Sequence, residues 1–185
     1  MIEIGKDLGR KLALLTVKID MGSGSHNMRE PLDEWIRVDG CADDNIDIVC
    51  DFGSVPLRDA VADELWSGDT VEHCPMWEWD KIFGEWNRLL KVGGIFKGST
   101  PNLHSIMVRY AKGEMNLEDA TNALYGWHNS KWQQHYVTFT TKTFEETFTR
   151  YGFGEFDFSQ SPPVEANDPY NGWWIVWSCK KIKNL

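Results

Sequence analysis

Thr16-Val17-Lys18-Ile19-Asp20-Met21-Gly22-Ser23-Gly24-Ser25 is the stretch on which the fold turns. Its first six residues alternate β-branched or apolar side chains with polar ones, which is the pattern of a strand. Two glycines separated by one residue follow at once. Glycine there lets the backbone turn sharply and approach a ligand closely. A strand running into such a turn opens many α/β domains.

The chain around this stretch carries more of the same alternation. Trp35–Asp39, Asp47–Phe52 and Asp63–Ser67 read as three further strands, the last ending at Gly68-Asp69. A helix is predicted from about Met76 to Lys91, because Ile82, Phe83, Trp86, Leu89 and Leu90 form one apolar face. Gly93-Gly94 is expected to cap it. Ile95–Thr100 is the fifth strand, closed by Pro101-Asn102. Leu103–Thr141 is less regular and rich in His and aromatic residues. Thr143–Tyr151 is a second helix, with Thr143 as N-cap and Glu146 three residues on. Gly154–Ser159 and Trp173–Lys180 are late strands, with turn-rich sequence between them: Ser161-Pro162-Pro163 and Asp168-Pro169-Tyr170-Asn171-Gly172. Gly5–Leu15 is either a short helix or the arm of a hairpin. This order predicts a mostly parallel sheet with helices, sparse on one face because the early connections are short.

The length, 185 residues, suits a single domain spanning 1–185, with 103–141 as a lid or substrate-side insertion. The net charge of −9 repels phosphate backbones and anionic membranes, so neither nucleic acid nor membrane is an expected partner. Lys180, Lys181 and Lys183 read as a solubilising tail. Cys41, Cys50, Cys74 and Cys179 make no CxxC pair, and no His stands at zinc-finger spacing, so no metal site is expected. Reduced thiols, the lack of a signal peptide and the lack of a bilayer-length apolar run point to the cytoplasm. Ten Trp are too many for a core alone, and some should line a surface or pocket.

In open α/β sheets ligands sit at the carboxyl ends of the strands. Those ends here carry Gly22 and Gly24, then Asp39, then Asp51 and Phe52. Asp39 lies about 15 residues past the turn, where an acidic residue grips ribose hydroxyls. Asp51 could accept from an adenine amino group and Phe52 could cover the ring. A dinucleotide site wants a third glycine, but Asn27 holds that position and Pro31 follows soon after. This disfavours a nicotinamide-dependent oxidoreductase and favours a nucleoside ligand without phosphates.

At these residues the sequence resembles the class I S-adenosylmethionine-dependent methyltransferases, in their small type 11 or 12 branch. Ile19-Asp20-Met21-Gly22-Ser23-Gly24 is similar to their first motif and Val38-Asp39 to their ribose-binding position. Asp47–Phe52 with Val55-Pro56-Leu57 resembles the adenine-side segment. Val71-Glu72-His73, Arg88–Gly94 and His135–Thr140 with Tyr151-Gly152-Phe153 resemble later segments in the right order. The resemblance implies a Rossmann-like, mostly parallel seven-stranded sheet with an antiparallel last strand. It implies S-adenosylmethionine as cofactor, held by Asp20, Gly22, Ser23, Gly24, Asp39, Asp51, Phe52, Ser67 and Gly68. Departures are Ser23 where relatives often have Cys, Val92 where they have Pro, and Asp69 where they have His or a small residue. The helix after the first strand looks curtailed.

Methyl transfer is an in-line displacement, and the protein supplies alignment and electrostatics. A base is needed only for an acceptor that starts protonated. His135, His104 and Asp69 are the candidates. His73 reads as structural, and His128 as surface or site. Tyr125, Trp127, Trp132 and Tyr136 would form a lid over a flat, sugar-like or cationic acceptor, or pack a lid core or homodimer contact. The expected activity is O- or N-methylation of a small-molecule or glycan-type acceptor. The alternative is a methyltransferase-like domain that has lost turnover and serves as a binding module.

Overall fold

The computed structural model describes residues 2–24, 33–127, 130, 132–159, 161 and 173–185. Asn27, Pro31, His128 and most of the predicted loop at 161–172 therefore lie outside the described residues. The strands are β1 (Glu3–Ile4), β2 (Lys18–Met21), β3 (Trp35–Asp39), β4 (Ile48–Val49), β5 (Ala62–Gly68), β6 (Leu90–Pro101), β7 (Phe153–Asp157) and β8 (Trp174–Lys181). The helices are α1 (Leu8–Leu12), α2 (Trp79–Leu89), α3 (Leu103–Ala111), α4 (Leu117–Tyr125) and α5 (Thr141–Arg150). One sheet contains all eight strands in the order β1-β4-β3-β2-β5-β6-β8-β7. Strands β2 to β6 pair in parallel, whereas β8 runs antiparallel to both β6 and β7.

The expected seven strands are present, and β1 adds an eighth, antiparallel on the edge of β4. The ambiguous Gly5–Leu15 segment holds α1. Lys11 is buried there and meets the Asp47 carboxylate at 2.6 Å, which also accepts the Arg37 backbone N–H. That pair ties the N-terminal helix to β3.

Two helix ends differ from expectation. α2 stops at Leu89 and the chain passes straight into β6, so Gly93-Gly94 is no cap; the pairing of β5 with β6 is irregular across this stretch. Thr140, not Thr143, caps α5. The Thr140 hydroxyl accepts the Thr143 N–H while the Thr143 hydroxyl accepts the Thr140 N–H, a closed capping box. The irregular insertion proves to hold two helices, α3 and α4.

The core lies on one face of the sheet. Ile36, Ile19, Leu65, Phe96 and Cys179 are register partners across five strands, and all are buried. Phe83 and Trp86 of α2 and Phe144 and Phe148 of α5 pack around Phe96 and Trp177, with ring centroids 4.3–5.9 Å apart. Each such side chain contributes about 1.5–3 kcal/mol by leaving water.

The opposite face is polar. Its matching row is Arg37, Asp20, Trp66, Lys97 and Ser178. Lys97 pairs with Glu64 at 2.7 Å. Lys18 pairs with Glu34 at 2.8 Å and lies 5.5 Å from the Trp35 ring. Among the described residues no helix follows β2, β3 or β4. Arg37 and Asp20 of this row are nevertheless 5% and 1% exposed, so β2 and β3 are covered on this face as well.

The basic C-terminus is not a solvated tail. Lys181 is 1% exposed, and its ammonium donates to the carbonyls of Asn87 and Leu90 at 2.6 and 2.8 Å. These carbonyls lie at the end of α2, where helix oxygens lack internal donors and a cation is favoured. Lys180 pairs with Glu155, whereas Lys183 is exposed and makes no ion pair among the described residues. Lys181→Ala should cost about 2–4 kcal/mol, through stranded carbonyls and lost packing. Lys183→Ala should stay within about 0.5 kcal/mol. Urea unfolding of both variants checks this, and equal midpoints would remove Lys181 from the core.

Candidate functional site

The chain leaves β2 toward β3 and β4 on one side, then returns to β5 on the other. This reversal opens a crevice at the carboxyl ends of β2 and β5, the place where such sheets take ligands. Gly22 turns there with φ +72°, and a Cβ on it would meet the Thr70 side chain at 2.3 Å. Thr70 follows β5 and is buried. Its hydroxyl lies 3.0–3.4 Å from the carbonyls of Met21, Gly22 and Gly68, with one proton to donate among them. One side chain therefore clasps the ends of both strands.

Asp39 ends β3 beside this turn. Its two carboxylate oxygens accept the N–H of Gly24 at 2.9 Å and of Cys41 at 2.8 Å. Gly24 sits at φ +55° with open space around its α-carbon. The hydroxyls of Ser23 and Ser67 are buried and find no hydrogen-bond partner among the described residues. Asp20 lies one residue inside β2, buried and on the polar face. Gly68 lies under the Trp66 indole, whose Nε1 would be 2.8 Å from an added Cβ.

The next strand end is arranged differently from the sequence reading. Asp51 is exposed and paired with Lys81 at 2.9 Å. The Lys81 hydrogen bond holds its carboxyl below the usual aspartate range. The Phe52 ring packs toward the core, edge-on to Trp86 at 6.2 Å, and its carbonyl accepts the Trp86 indole N–H. The aromatic that reaches this end of the sheet is Trp132 of the insertion. Its ring comes within 3.6 Å of where a Cβ on Gly40 would stand, next to the Cys50 carbonyl.

Beyond β5 the chain bends through Asp69, at φ +49°, into a short 3-10 turn over Val71–His73. Asp69 is half-buried and accepts from the Ser99 hydroxyl at 3.2 Å. Burial pushes its carboxyl above the usual range, against the hydrogen bonds it receives. Glu72 is fully buried, and burial raises it well above the usual range; Thr100 donates to one of its oxygens at 2.9 Å. Burial lowers His73 below a free imidazole. His135 approaches from the insertion, with its ring centroid 4.8 Å from that of His73. Two hydrogen bonds fasten this segment: Tyr136 N–H to the Glu72 carbonyl at 2.8 Å, and His73 Nδ1 to the Gln134 carbonyl at 3.0 Å. His104 stands apart, exposed on the first turn of α3. The cap there is Asn102, which accepts the N–H groups of His104 and Ser105.

Residues 19–97 match the family model described as a methyltransferase domain. The match covers less than half of the chain and runs from β2 into β6. Two structures of similar fold were solved with S-adenosylhomocysteine and with S-adenosyl-L-methionine bound. No curated protein matches the sequence. Solved structures share the fold at low identity. A chain of the Haloferax volcanii complex between the Trm112 methyltransferase activator and its methyltransferase is 15% identical, with TM-score 0.58, covering 96% of this chain and 89% of that one. Burkholderia thailandensis 1,6-didemethyltoxoflavin-N1-methyltransferase, solved with its substrate and S-adenosylhomocysteine, is 15% identical with TM-score 0.62, covering 90% and 71%. A Thermotoga maritima S-adenosylmethionine-dependent methyltransferase is 18% identical with TM-score 0.58, covering 89% and 81%.

Thr70 is the site residue that sequence reasoning missed. Only its place two residues past Gly68 hinted at the clasp. The joining of His73 to His135 was also hidden, because no local period connects them. Gly22→Ala should destabilise the domain by more than Gly93→Ala. Both have positive φ, a backbone cost of about 1–2 kcal/mol for an added Cβ, but only Gly22 also faces a clash. Thermal unfolding of the two variants compares them. Equal losses would mean that Thr70 yields freely.

Proposed function

We propose that this domain binds S-adenosylmethionine in the β2–β5 crevice and transfers its methyl group to a small-molecule acceptor. The observation that carries the reading is Asp39. Its carboxylate is drawn to the Gly24 N–H, so the candidate ribose ligand and the glycine turn share one end of the crevice. Each carboxylate oxygen keeps a further lone-pair site for a ribose hydroxyl. Gly22, Ser23 and Gly24 would border the methionine part, with Ser67 and Gly68 alongside. Trp132 takes the role of covering the adenine end, in place of Phe52. Asp51 borders the same end from the surface.

The lid role assigned to residues 103–141 is part of this proposal. Tyr125, Trp127, Trp132 and Tyr136 are exposed on the insertion, and Trp77 meets Tyr136 edge-on at 5.5 Å. Such rings suit a flat or sugar-like acceptor. The toxoflavin enzyme and a Haemonchus contortus phosphoethanolamine methyltransferase, both similar in fold, act on small molecules. Of the three base candidates, His135 and Asp69 belong to the group around His73, and His104 does not.

A second reading, a domain that binds without turnover, is favoured by a specific observation. Both Asp39 oxygens already hold backbone N–H groups, and no helix among the described residues walls the crevice after β2. Calorimetric titration with S-adenosylmethionine and S-adenosylhomocysteine separates the cases. Micromolar binding is expected, weakened about 100-fold by Asp39→Ala through the loss of two charge-assisted hydrogen bonds. Absence of binding to folded protein would overturn the proposal. Binding without transfer to any acceptor would support the second reading.

A further inference from the structure

Glu72, His73 and His135 each present one donor atom, and these atoms lie within 4.8 Å of one another. We infer that they form a binding site for a divalent transition-metal ion at the end of β5.

Four observations support the assignment. The first is the donor set. Two imidazoles and a carboxylate are the ligands of zinc and of first-row ions such as cobalt and iron. Calcium and magnesium prefer oxygen alone. The second is the protonation of the rings. Nδ1 of His73 lies 3.0 Å from the Gln134 carbonyl, and Nδ1 of His135 lies 3.0 Å from the Ala123 carbonyl. A carbonyl only accepts, so each Nδ1 carries the proton and each Nε2 carries the lone pair. Backbone carbonyls orient metal-binding histidines in this way.

The third is Glu72. It is 0% exposed, and its Oε1 has no hydrogen-bond partner among the described residues, while Oε2 is held by the Thr100 hydroxyl. A buried carboxylate oxygen without a partner is costly, and a cation would satisfy it. The fourth is rigidity. The Tyr136–Glu72 and His73–Gln134 hydrogen bonds lock the two segments that bring the ligands together. Ligands about 2.1 Å from a tetrahedral ion sit about 3.4 Å apart, so donor atoms at most 4.8 Å apart need close by no more than about 1.4 Å.

Three protein ligands leave coordination positions open, as in catalytic rather than purely structural sites. An acceptor oxygen bound there would be polarised by the ion beside the crevice. In that role His135 is a ligand and not the base. This last step rests on the methyltransferase reading; binding of the ion does not.

The test uses the whole chain, stripped of metal by chelator and titrated with Co2+ and Zn2+ without cofactor. Visible cobalt absorption and calorimetry report binding. One ion per chain is expected, displaced from cobalt by zinc. Glu72→Gln and His135→Ala should each weaken it more than about 100-fold, and Thr100→Val, which spares every ligand, about 10- to 100-fold. His104→Ala should leave it unchanged. If Glu72→Gln fails to fold, His135→Ala, at a half-buried position, decides alone. No cobalt or zinc binding by folded wild type, or binding indifferent to His135→Ala, overturns the site. S-adenosylmethionine binding measured on the same sample keeps the two proposals distinguishable: its failure strikes the cofactor reading, and failure of cobalt strikes the ion.

Discussion

The close approach of Gly22 to Thr70 is the contact on which the site depends. Gly22 has no side chain, so the Thr70 methyl and hydroxyl occupy the space a Cβ would need. Thr70 follows β5 in the chain, and its hydroxyl reaches the Met21 carbonyl at the end of β2 at 3.1 Å. Two neighbouring parallel strands are thereby held together just where their connections diverge. The crevice between them is fixed by covalent geometry and hydrogen bonds, not by a loop free to wander. The Asp39–Gly24 bond draws the third strand end into the same frame.

The two faces of the sheet around this clasp differ in chemistry, and at β2 and β3 both are buried. A parallel sheet covered on both faces would read as continuous apolar runs. Here β3 reads Trp-Ile-Arg-Val-Asp, and β5, β6 and β8 alternate in the same sense. Ile19, Leu65 and Phe96 meet the aromatic residues of α2 and α5, while Asp20, Trp66 and Lys97 occupy the other face. Charged pairs such as Lys97–Glu64 suit the part-exposed stretch of that face, because a partly hydrated ion pair costs little there. Lys181 shows the opposite situation. Its long apolar stem suits the core, and its ammonium is tolerated only because two helix-end carbonyls receive it.

Much of the frame was legible before the fold was known. Strand alternation located β2, β3, β5, β6 and β8 within a few residues, and the glycine turn with Asp39 located the crevice. The errors have physical causes. Gly93-Gly94 resembles a cap in composition, but α2 ends earlier because the chain at Leu90 already pairs with β5. Thr140 and Thr143 are chemically alike, and only the backbone trajectory decides which one caps. A terminal cluster of lysines looks solvated until β8 is seen to carry Lys181 beneath α2. Phe52 ends a strand as expected, yet its ring turns to Trp86, and Trp132 from a distant segment reaches that end instead.

The amino-acid sequence by itself determined the element order, the mostly parallel sheet and the turn that makes the crevice. Those features arise from local periodicity and from residues with distinctive backbone freedom, which are written along the chain. Tertiary structure alone decided that Thr70 would clasp two strands, that Lys181 would be buried, and that Glu72, His73 and His135 would converge. Such meetings depend on how segments remote in sequence pack over one another. Their distances and hydrogen-bond directions are set by that packing, and no spacing along the chain encodes them.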